Sequence, residues 1–338
     1  MNNNQFSNSG PLIYTPKKGP NASRPMKQKK GKLPLVLDIL VVLLVAGATF
    51  AMFKLTNVKP ENQEKNNPEV VSAKSLDDSG DEDEEAKIDL NPIITNWLGT
   101  FSRDVKKSVM VYDLDKDEVV GNFEENTEFE TASVYKLFVA YEGYKRVDNG
   151  QWSSSDESFG GMTTLECLDK MVRESHSGCA ENLLSKIGED DLDAIIRNNY
   201  GLEQTSVSGL KTTAADMVKF LKIINTHKEI SNESFARLSD SMLNQPAIEL
   251  DECNGPCDFR SGLPAGFSKD VKVFNKVGWA WNGAFWTVYD DVAILEFPKS
   301  GRRFAMVVLT SGLQEQNVIS RLGEMTEEAI LAYLEYLE

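Results

Sequence analysis

The chain has 338 residues, 41% of them apolar, so it is long enough to bury a substantial hydrophobic core. Its charge is unevenly placed: residues 1–37 hold seven of the 36 Lys and Arg side chains and no acid, which leaves 29 basic against 52 acidic side chains, a net charge of −23, in the rest. A body this acidic repels phosphates, and that argues against nucleic-acid binding.

The basic N-terminal segment precedes a long apolar run. Residues 1–32 are rich in Asn, Ser, Pro and Lys, and we expect them to form a disordered tail. Residues 33–53 are largely apolar, and as a helix they can cross a hydrocarbon core of roughly 30 Å. Lysines before the run and acids after it predict a single-pass membrane protein with a cytoplasmic N-terminus and an extracytoplasmic body. A cleaved signal peptide is the alternative, although no clear small-x-small cleavage site follows the run.

The polar segment 54–87 contains an acidic run at 81–85, whose charges repel one another, so we predict an extended extracytoplasmic linker. Residues 88–338 show the pattern of one folded domain. Strands are predicted at 107–113, 118–123, 271–278, 284–296 and 303–310, and helices at 92–101, 133–146, 164–175, 179–187, 192–198, 213–225 and 317–337. This order predicts an α/β fold with one antiparallel sheet built from both ends of the domain, flanked by helices, and with an inserted helical lobe.

All four cysteines lie in the part that we expect to be exported, where disulfides form. The economical pairing is Cys167 with Cys179 and Cys253 with Cys257. A zinc site is the alternative, but the spacing lacks paired C-x-x-C motifs. The only histidines are His176 and His227, which excludes a His-rich metal centre. No cofactor is required by any of these features.

The first candidate for chemistry is an S-x-x-K pattern, Ser133 and Lys136, at the start of an apolar helix. The two side chains emerge one turn apart, and a partly desolvated lysine can take the proton of a serine nucleophile. The pattern alone is weak, because Ser208 and Lys211 repeat it in a loop and because a serine here can be an ordinary helix cap. A helix N-terminus favours developing negative charge, and that supports Ser133.

Two further segments carry polar groups in an apolar context. Ser175, His176 and Ser177 lie between two predicted helices, where capping is the simpler explanation. Lys276, Val277 and Gly278 end an apolar strand in a K-x-G pattern. The same pattern at 299–301 is predicted to be a hairpin turn.

Taken together and in order, these segments resemble the class A β-lactamase and D,D-peptidase superfamily of penicillin-recognising serine hydrolases, whose motifs are S-x-x-K, S-x-N and K-T/S-G. Residues 131–137 look like the nucleophile helix of that family, 211–216 like the helix start after its omega loop, and 260–266 like the segment before its third motif. The resemblance covers about residues 88–338.

The resemblance implies roles for particular residues. Ser133 would attack a carbonyl, Lys136 would take or relay its proton, and Ser175 would pass a proton to the leaving nitrogen. Lys276 would hold the substrate carboxylate and support that relay. Backbone N–H groups of Ser133 and Trp279 would form an oxyanion hole. Substrate contacts would come from Ser177, Val277 and Gly278, and His176 would have no role.

Three departures from the family pattern affect the expected reaction. Ser177 stands where the family usually has Asn, and Val277 where it has Thr or Ser. The segment 200–211 contains no E-x-x-L-N, whose glutamate activates the deacylating water in class A β-lactamases, and Glu203 is its only acid. We therefore expect an acyl-enzyme that forms on β-lactams or D-Ala-D-Ala-type wall peptides and hydrolyses slowly. The alternative is a penicillin- or peptidoglycan-binding or sensing module of the same fold, without turnover.

Overall fold

The computed structural model describes residues 87–101, 104–250, 255–281, 286–314 and 318–337. In the parts of these ranges that fall within 247–257, 281–286 and 313–317, it describes the backbone alone. The predicted tail 1–32, apolar helix 33–53 and most of the linker 54–87 lie outside this part. Cys253 lies outside it too, so the Cys253–Cys257 bridge stays a prediction. Within the described ranges, no helix is both long and apolar enough to cross a membrane.

Five strands form the central antiparallel sheet, in the order β2-β1-β11-β10-β9. The first two are β1 (Lys106–Asp113) and β2 (Glu118–Phe123), and the last three are β9 (Lys272–Trp281), β10 (Trp286–Glu296) and β11 (Arg303–Gln314). Strand β1 pairs with β11, so the two ends of the domain meet in the middle of the sheet. This arrangement confirms the predicted antiparallel sheet built from both ends.

Helices cover both faces of the sheet, which explains why its central strands are apolar almost throughout. Helices α1 (Asn91–Leu98) and α8 (Val318–Leu337) pack on one face with a core that includes Trp97 and Ile330. The larger core, on the other face, includes Phe138, Leu183 and Phe220. It is shared with an inserted lobe, as predicted, whose helices are α2 (Lys136–Asp148), α3 (Thr164–Arg173), α4 (Ser177–Ile187), α5 (Glu189–Asn198), α6 (Ala214–Thr226) and α7 (Asn232–Leu243).

Short paired segments complete the domain: β3 (Phe129–Glu130) with β6 (Lys211–Thr212), β4 (Glu157–Phe159) with β5 (Met162–Thr163), and β7 (Ala247–Leu250) with β8 (Gly255–Asp258). Single 3₁₀ turns occupy Ala132–Tyr135, Phe259–Ser261 and Leu263–Gly266.

Two differences from the sequence prediction concern helices. The helix predicted at 133–146 begins as the 3₁₀ turn Ala132–Tyr135 and becomes α-helical only at Lys136. Helix α7 was not predicted, because polar residues interrupt its apolar spacing. Ser231 caps its N-terminus, since the Ser231 hydroxyl accepts a hydrogen bond from the Ser234 N–H at 3.1 Å.

Candidate active site

The turn that carries Ser133 is held in an uncommon backbone conformation. Ala132 has φ = 38°, in the left-handed region that side chains other than glycine rarely occupy. Such a residue costs of order 1–3 kcal/mol and persists where its surroundings fix it. The Val134 N–H donates to Thr131 O at 2.8 Å, and Ser133 is half-buried at the start of the turn. The nucleophile candidate therefore lies on a rigid turn rather than on a regular helix.

Strand β9 fixes this turn from one side. A Cβ atom at Gly278 would lie 2.4 Å from Thr131 O and 2.7 Å from Val134 Cγ2, closer than real contacts allow. Glycine is required here because the two backbones approach too closely for any side chain. The K-x-G segment and the S-x-x-K segment are thus in direct contact.

The Lys136 amine is buried and hydrogen-bonded to the segment between α3 and α4. Its Nζ lies 2.5 Å from Ser175 O, 3.2 Å from Ser175 Oγ and 3.2 Å from Ser177 Oγ. Burial lowers the pKa of Lys136 to about 8, against a smaller opposing effect of the Glu181 carboxylate. In the part of the chain that the structure describes, no hydrogen bond joins Lys136 Nζ to Ser133 Oγ, because Lys136 points toward Ser175.

Lys276 reaches the same serine from strand β9. Its Nζ donates to Ser175 Oγ at 3.1 Å and to Val277 O at 2.8 Å, and the residue is fully buried. Burial holds the pKa of Lys276 well below its ordinary value, the nearby Lys136 charge lowers it further, and Asp291 partly offsets both. Two amines with depressed pKa values therefore converge on Ser175 Oγ, an arrangement suited to proton transfer.

Ser175 occupies the tight turn between α3 and α4 with φ = 54°. His176 and Ser177 lie at the start of α4. His176 Nδ1 accepts a hydrogen bond from the Cys179 N–H at 3.1 Å, which caps the helix, and the ring packs edge-on against Phe159. His176 is therefore placed as a helix cap, and Ser177 is placed beside Lys136.

A disulfide joins the two helices around this turn. Cys167 in α3 and Cys179 in α4 are bridged, with Cα atoms 5.1 Å apart. This confirms the predicted Cys167–Cys179 pair. Within the described residues, no group of three or more His, Cys, Asp and Glu side chains could hold a metal.

Val277 and Trp279 alternate with Lys276 and Gly278 along β9. The Val277 side chain is 1% exposed and packs in the core under α8, so it offers little surface to a substrate. The Trp279 ring stacks on Tyr289 at 4.7 Å between ring centroids. Substrate contact by Val277 and an oxyanion hole from the N–H groups of Ser133 and Trp279 stay predictions.

Hydrogen bonds to one carboxylate hold the segment before β6 in place. Asp193 of α5 accepts hydrogen bonds from Ser206 Oγ at 2.7 Å, the Val207 N–H at 2.5 Å and Ser208 Oγ at 2.6 Å. The second S-x-x-K pattern, which contains Ser208, thus serves to hold this loop. Glu203 is exposed on the same loop. The second K-x-G pattern is a hairpin turn, in which the Gly301 N–H donates to Phe297 O at 2.8 Å.

Two carboxylates near the site were missed in the sequence. Glu181 follows Ser177 by one turn on α4 and acts electrostatically on Lys136. Asp291 lies fully buried in β10, where it accepts hydrogen bonds from the Leu263 N–H at 2.7 Å and from Asn275 Nδ2 at 2.9 Å. Glu181 could have been found from its i, i+4 spacing from Ser177. Asp291 could have been found because Asp290 and Asp291 form an acidic pair inside an apolar strand.

Solved structures share this fold at low sequence identity. A β-lactamase from Chitinophaga pinensis is 17% identical, and the match covers 71% of this chain and 100% of that one with a TM-score of 0.60. The protein PBP-A is 17% identical, with coverages of 73% and 99% and a TM-score of 0.61. A PBP-A mutant, solved as an acyl-enzyme complex with penicillin G, is 18% identical, with coverages of 71% and 95% and a TM-score of 0.59.

Comparison with curated protein sequences finds no match. At the level of protein families, residues 89–331 match the model of the beta-lactamase enzyme family. That match spans most of the chain and includes every residue of the site described above. The chain therefore belongs to the beta-lactamase enzyme family.

Proposed function

We propose that this protein is a membrane-anchored serine hydrolase that forms an acyl-enzyme through Ser133. The observation that carries the proposal is the convergence of Lys136 Nζ and Lys276 Nζ on Ser175 Oγ, beside the turn that holds Ser133. A serine flanked by two amines with depressed pKa values can deliver a proton and be resupplied with one, and amide cleavage requires such a relay.

In acylation, Ser133 Oγ forms a bond to the substrate carbonyl carbon and gives its proton to the neutral amine of Lys136. With a pKa of about 8, roughly one Lys136 in ten is neutral at about pH 7. The C–N bond then breaks while Ser175 Oγ gives its proton to the leaving nitrogen and receives one from the protonated Lys136, which returns to its neutral form. The serine proton thus ends on the nitrogen. Backbone N–H groups of Ser133 and Trp279 would stabilise the oxyanion, each by about 3 kcal/mol.

Deacylation is proposed to be slow. Water must attack the acyl-enzyme with the help of a positioned base, and the loop that supplies this base in class A β-lactamases here carries only Glu203, which is exposed. The structural relative PBP-A, of which a mutant was captured as a penicillin G acyl-enzyme, supports the same chemistry here. The proposed substrates are β-lactams and peptides that end in D-Ala-D-Ala.

The proposed location rests on the sequence. The apolar run 33–53, with lysines before it and acids after it, supports a single membrane helix with the hydrolase outside. A protein in this position would meet wall peptides and incoming antibiotics. Retention of the full chain in carbonate-washed membranes, and its release when residues 1–55 are deleted, would support the anchor. A full chain that washes off would contradict it.

The test of the reaction uses the full chain, a chromogenic penicillin and an acylated D-Ala-D-Ala peptide, with Ser133→Ala as the control. We expect a stoichiometric burst followed by slow turnover on one of the two substrates, and neither phase in the control. Fast turnover would contradict slow deacylation. A burst without any turnover would instead support a binding or sensing module of the same fold. The departures from the family pattern at Ser177 and Val277 favour that alternative.

A further inference from the structure

The Cys167–Cys179 bridge encloses the turn that carries Ser175. Helix α3 ends at Arg173 and α4 begins at Ser177, and the bridge joins the two helices on either side of the turn. Both half-cystines are fully buried, so the bridge lies beneath the site rather than on the surface. Both ends of this turn therefore belong to helices that are covalently joined.

The backbone of the turn needs such support. Ser175 has φ = 54°, a conformation that a residue with a side chain adopts only when its surroundings fix it. The hydrogen bonds of the turn lead back to the bridged helices. Lys170 O of α3 accepts from the Glu174 N–H at 2.8 Å and from the His176 N–H at 3.4 Å, and His176 Nδ1 accepts from the N–H of Cys179 itself.

The side chain of Ser175 also lies between two amines that can each carry a positive charge. Lys136 and Lys276 approach one oxygen from two different elements, and their like charges repel. Both amines can reach Oγ only while the turn keeps its position, because a displacement of Oγ would lengthen at least one of the two hydrogen bonds. A covalent link across the base of the turn opposes such a displacement.

We infer that the Cys167–Cys179 bridge is a positioning device, which holds Ser175 Oγ between Lys136 and Lys276 and so sets the rate of acylation in addition to stabilising the fold. This inference rests on the proposed function. Proton delivery to the leaving nitrogen depends on the position of Oγ, and a displacement of about 1 Å in such a group can cost about a hundredfold in rate. Loss of the bridge should therefore slow acylation through Ser175.

The test is a double-mutant cycle on the full chain. Acylation by a chromogenic penicillin is followed by rapid mixing for the wild type, Cys167→Ala/Cys179→Ala, Ser175→Ala and the combination, with circular dichroism to establish that each is folded. In the presence of Ser175, loss of the bridge should lower the acylation rate by about tenfold or more, which is about 1.4 kcal/mol of barrier. In the Ser175→Ala background it should lower the rate by less than about twofold.

Equal losses in the two backgrounds would show that the bridge acts on stability alone and would overturn the inference. A wild type that is acylated by neither the penicillin nor the D-Ala-D-Ala peptide would instead contradict the proposed function. If the alanine pair fails to fold, Cys167→Val/Cys179→Ala fills the vacated volume and takes its place in the cycle. A folding failure of that variant too would assign the bridge to stability and would also overturn the inference.

Discussion

Lys136 and Lys276 donate hydrogen bonds to the same acceptor, Ser175 Oγ, at 3.2 and 3.1 Å. Both lysines are buried, and the pKa of each lies below its ordinary value. Buried like charges this close to a common acceptor destabilise a fold, so their convergence indicates a role in moving protons. The two lysines come from segments far apart in the sequence, and only the fold brings them together.

Replacing Ser175 by Ala should remove the group through which both lysines act. We expect the acylation rate by a penicillin to fall by about 10²- to 10⁴-fold, as is typical when a general acid is lost, while the protein stays folded. The matched control is Ser208→Ala, at the second S-x-x-K pattern, where the hydroxyl only helps to hold a loop through Asp193. If Ser175→Ala is acylated at the wild-type rate, Ser175 takes no part in acylation.

The pH dependence of acylation should report on Lys136. Its neutral form accepts the proton, so the rate should rise with pH through a midpoint near the pKa of about 8. The Glu181 carboxylate favours the charged amine and raises this pKa. Glu181→Gln should therefore move the midpoint to lower pH and increase the rate at about pH 7.

Glu203→Gln is the matched control for Glu181→Gln, because it removes the same charge from an exposed loop position that does not act on Lys136. Its midpoint should equal that of the wild type. A Glu181→Gln profile that is unchanged, or that moves to higher pH, would contradict the assignment of the midpoint to Lys136.

Gly278→Ala tests the contact between β9 and the nucleophile turn. The added methyl group would lie 2.4 Å from the backbone oxygen of Thr131, so the turn must shift. We expect a loss of about 1–3 kcal/mol in the free energy of unfolding, and slower acylation in the protein that remains folded. Gly301→Ala, at a hairpin with φ = 69° and open space around it, should lower stability by about 1 kcal/mol without slowing acylation. Unchanged acylation by Gly278→Ala would show that the turn need not be held there.

Asp291 should make the domain less stable as pH rises. Burial raises the pKa of this carboxyl to about 7, partly offset by hydrogen bonds from Asn275 and the Leu263 N–H. The folded state then binds a proton that the unfolded state has released, so the contribution of Asp291 is full below about pH 4 and is lost as pH rises to about 7. The upper limit of the loss is about 4 kcal/mol.

Asp291→Asn removes this titration, and urea unfolding from about pH 4 to about pH 8 measures the result. The variant should lose less stability than the wild type over that range, whereas Asp270→Asn, at an exposed position, should follow the wild-type curve. A variant whose stability falls with pH as steeply as that of the wild type would assign the titration to another group.

Much of the site could be predicted because its motifs are local. The S-x-x-K and K-x-G segments and the serine between the two helices keep their order in the sequence, and the apolar strands at both ends predict the sheet that joins them. The rival patterns at Ser208 and at Gly301 were separated by their context in a loop and a hairpin, and the structure bears out both assignments.

What could not be predicted depends on tertiary packing. The positive φ angles of Ala132 and Ser175 are imposed by neighbouring elements and leave no trace in residues that are neither Gly nor Asn. Val277 is buried because both faces of β9 are covered: Lys276 and Val277 point to opposite faces, and both are buried. The i, i+4 spacing places Glu181 on the same face as Ser177, but only the fold shows that this face lies beside Lys136.

An acyl-enzyme at Ser133 can be detected by mass spectrometry of the full chain after brief exposure to penicillin G. We expect a mass increase equal to one penicillin, which is located on the peptide that contains Ser133, decays slowly and is absent in Ser133→Ala. An adduct on another residue, or an equal adduct in Ser133→Ala, would show that Ser133 is not the nucleophile.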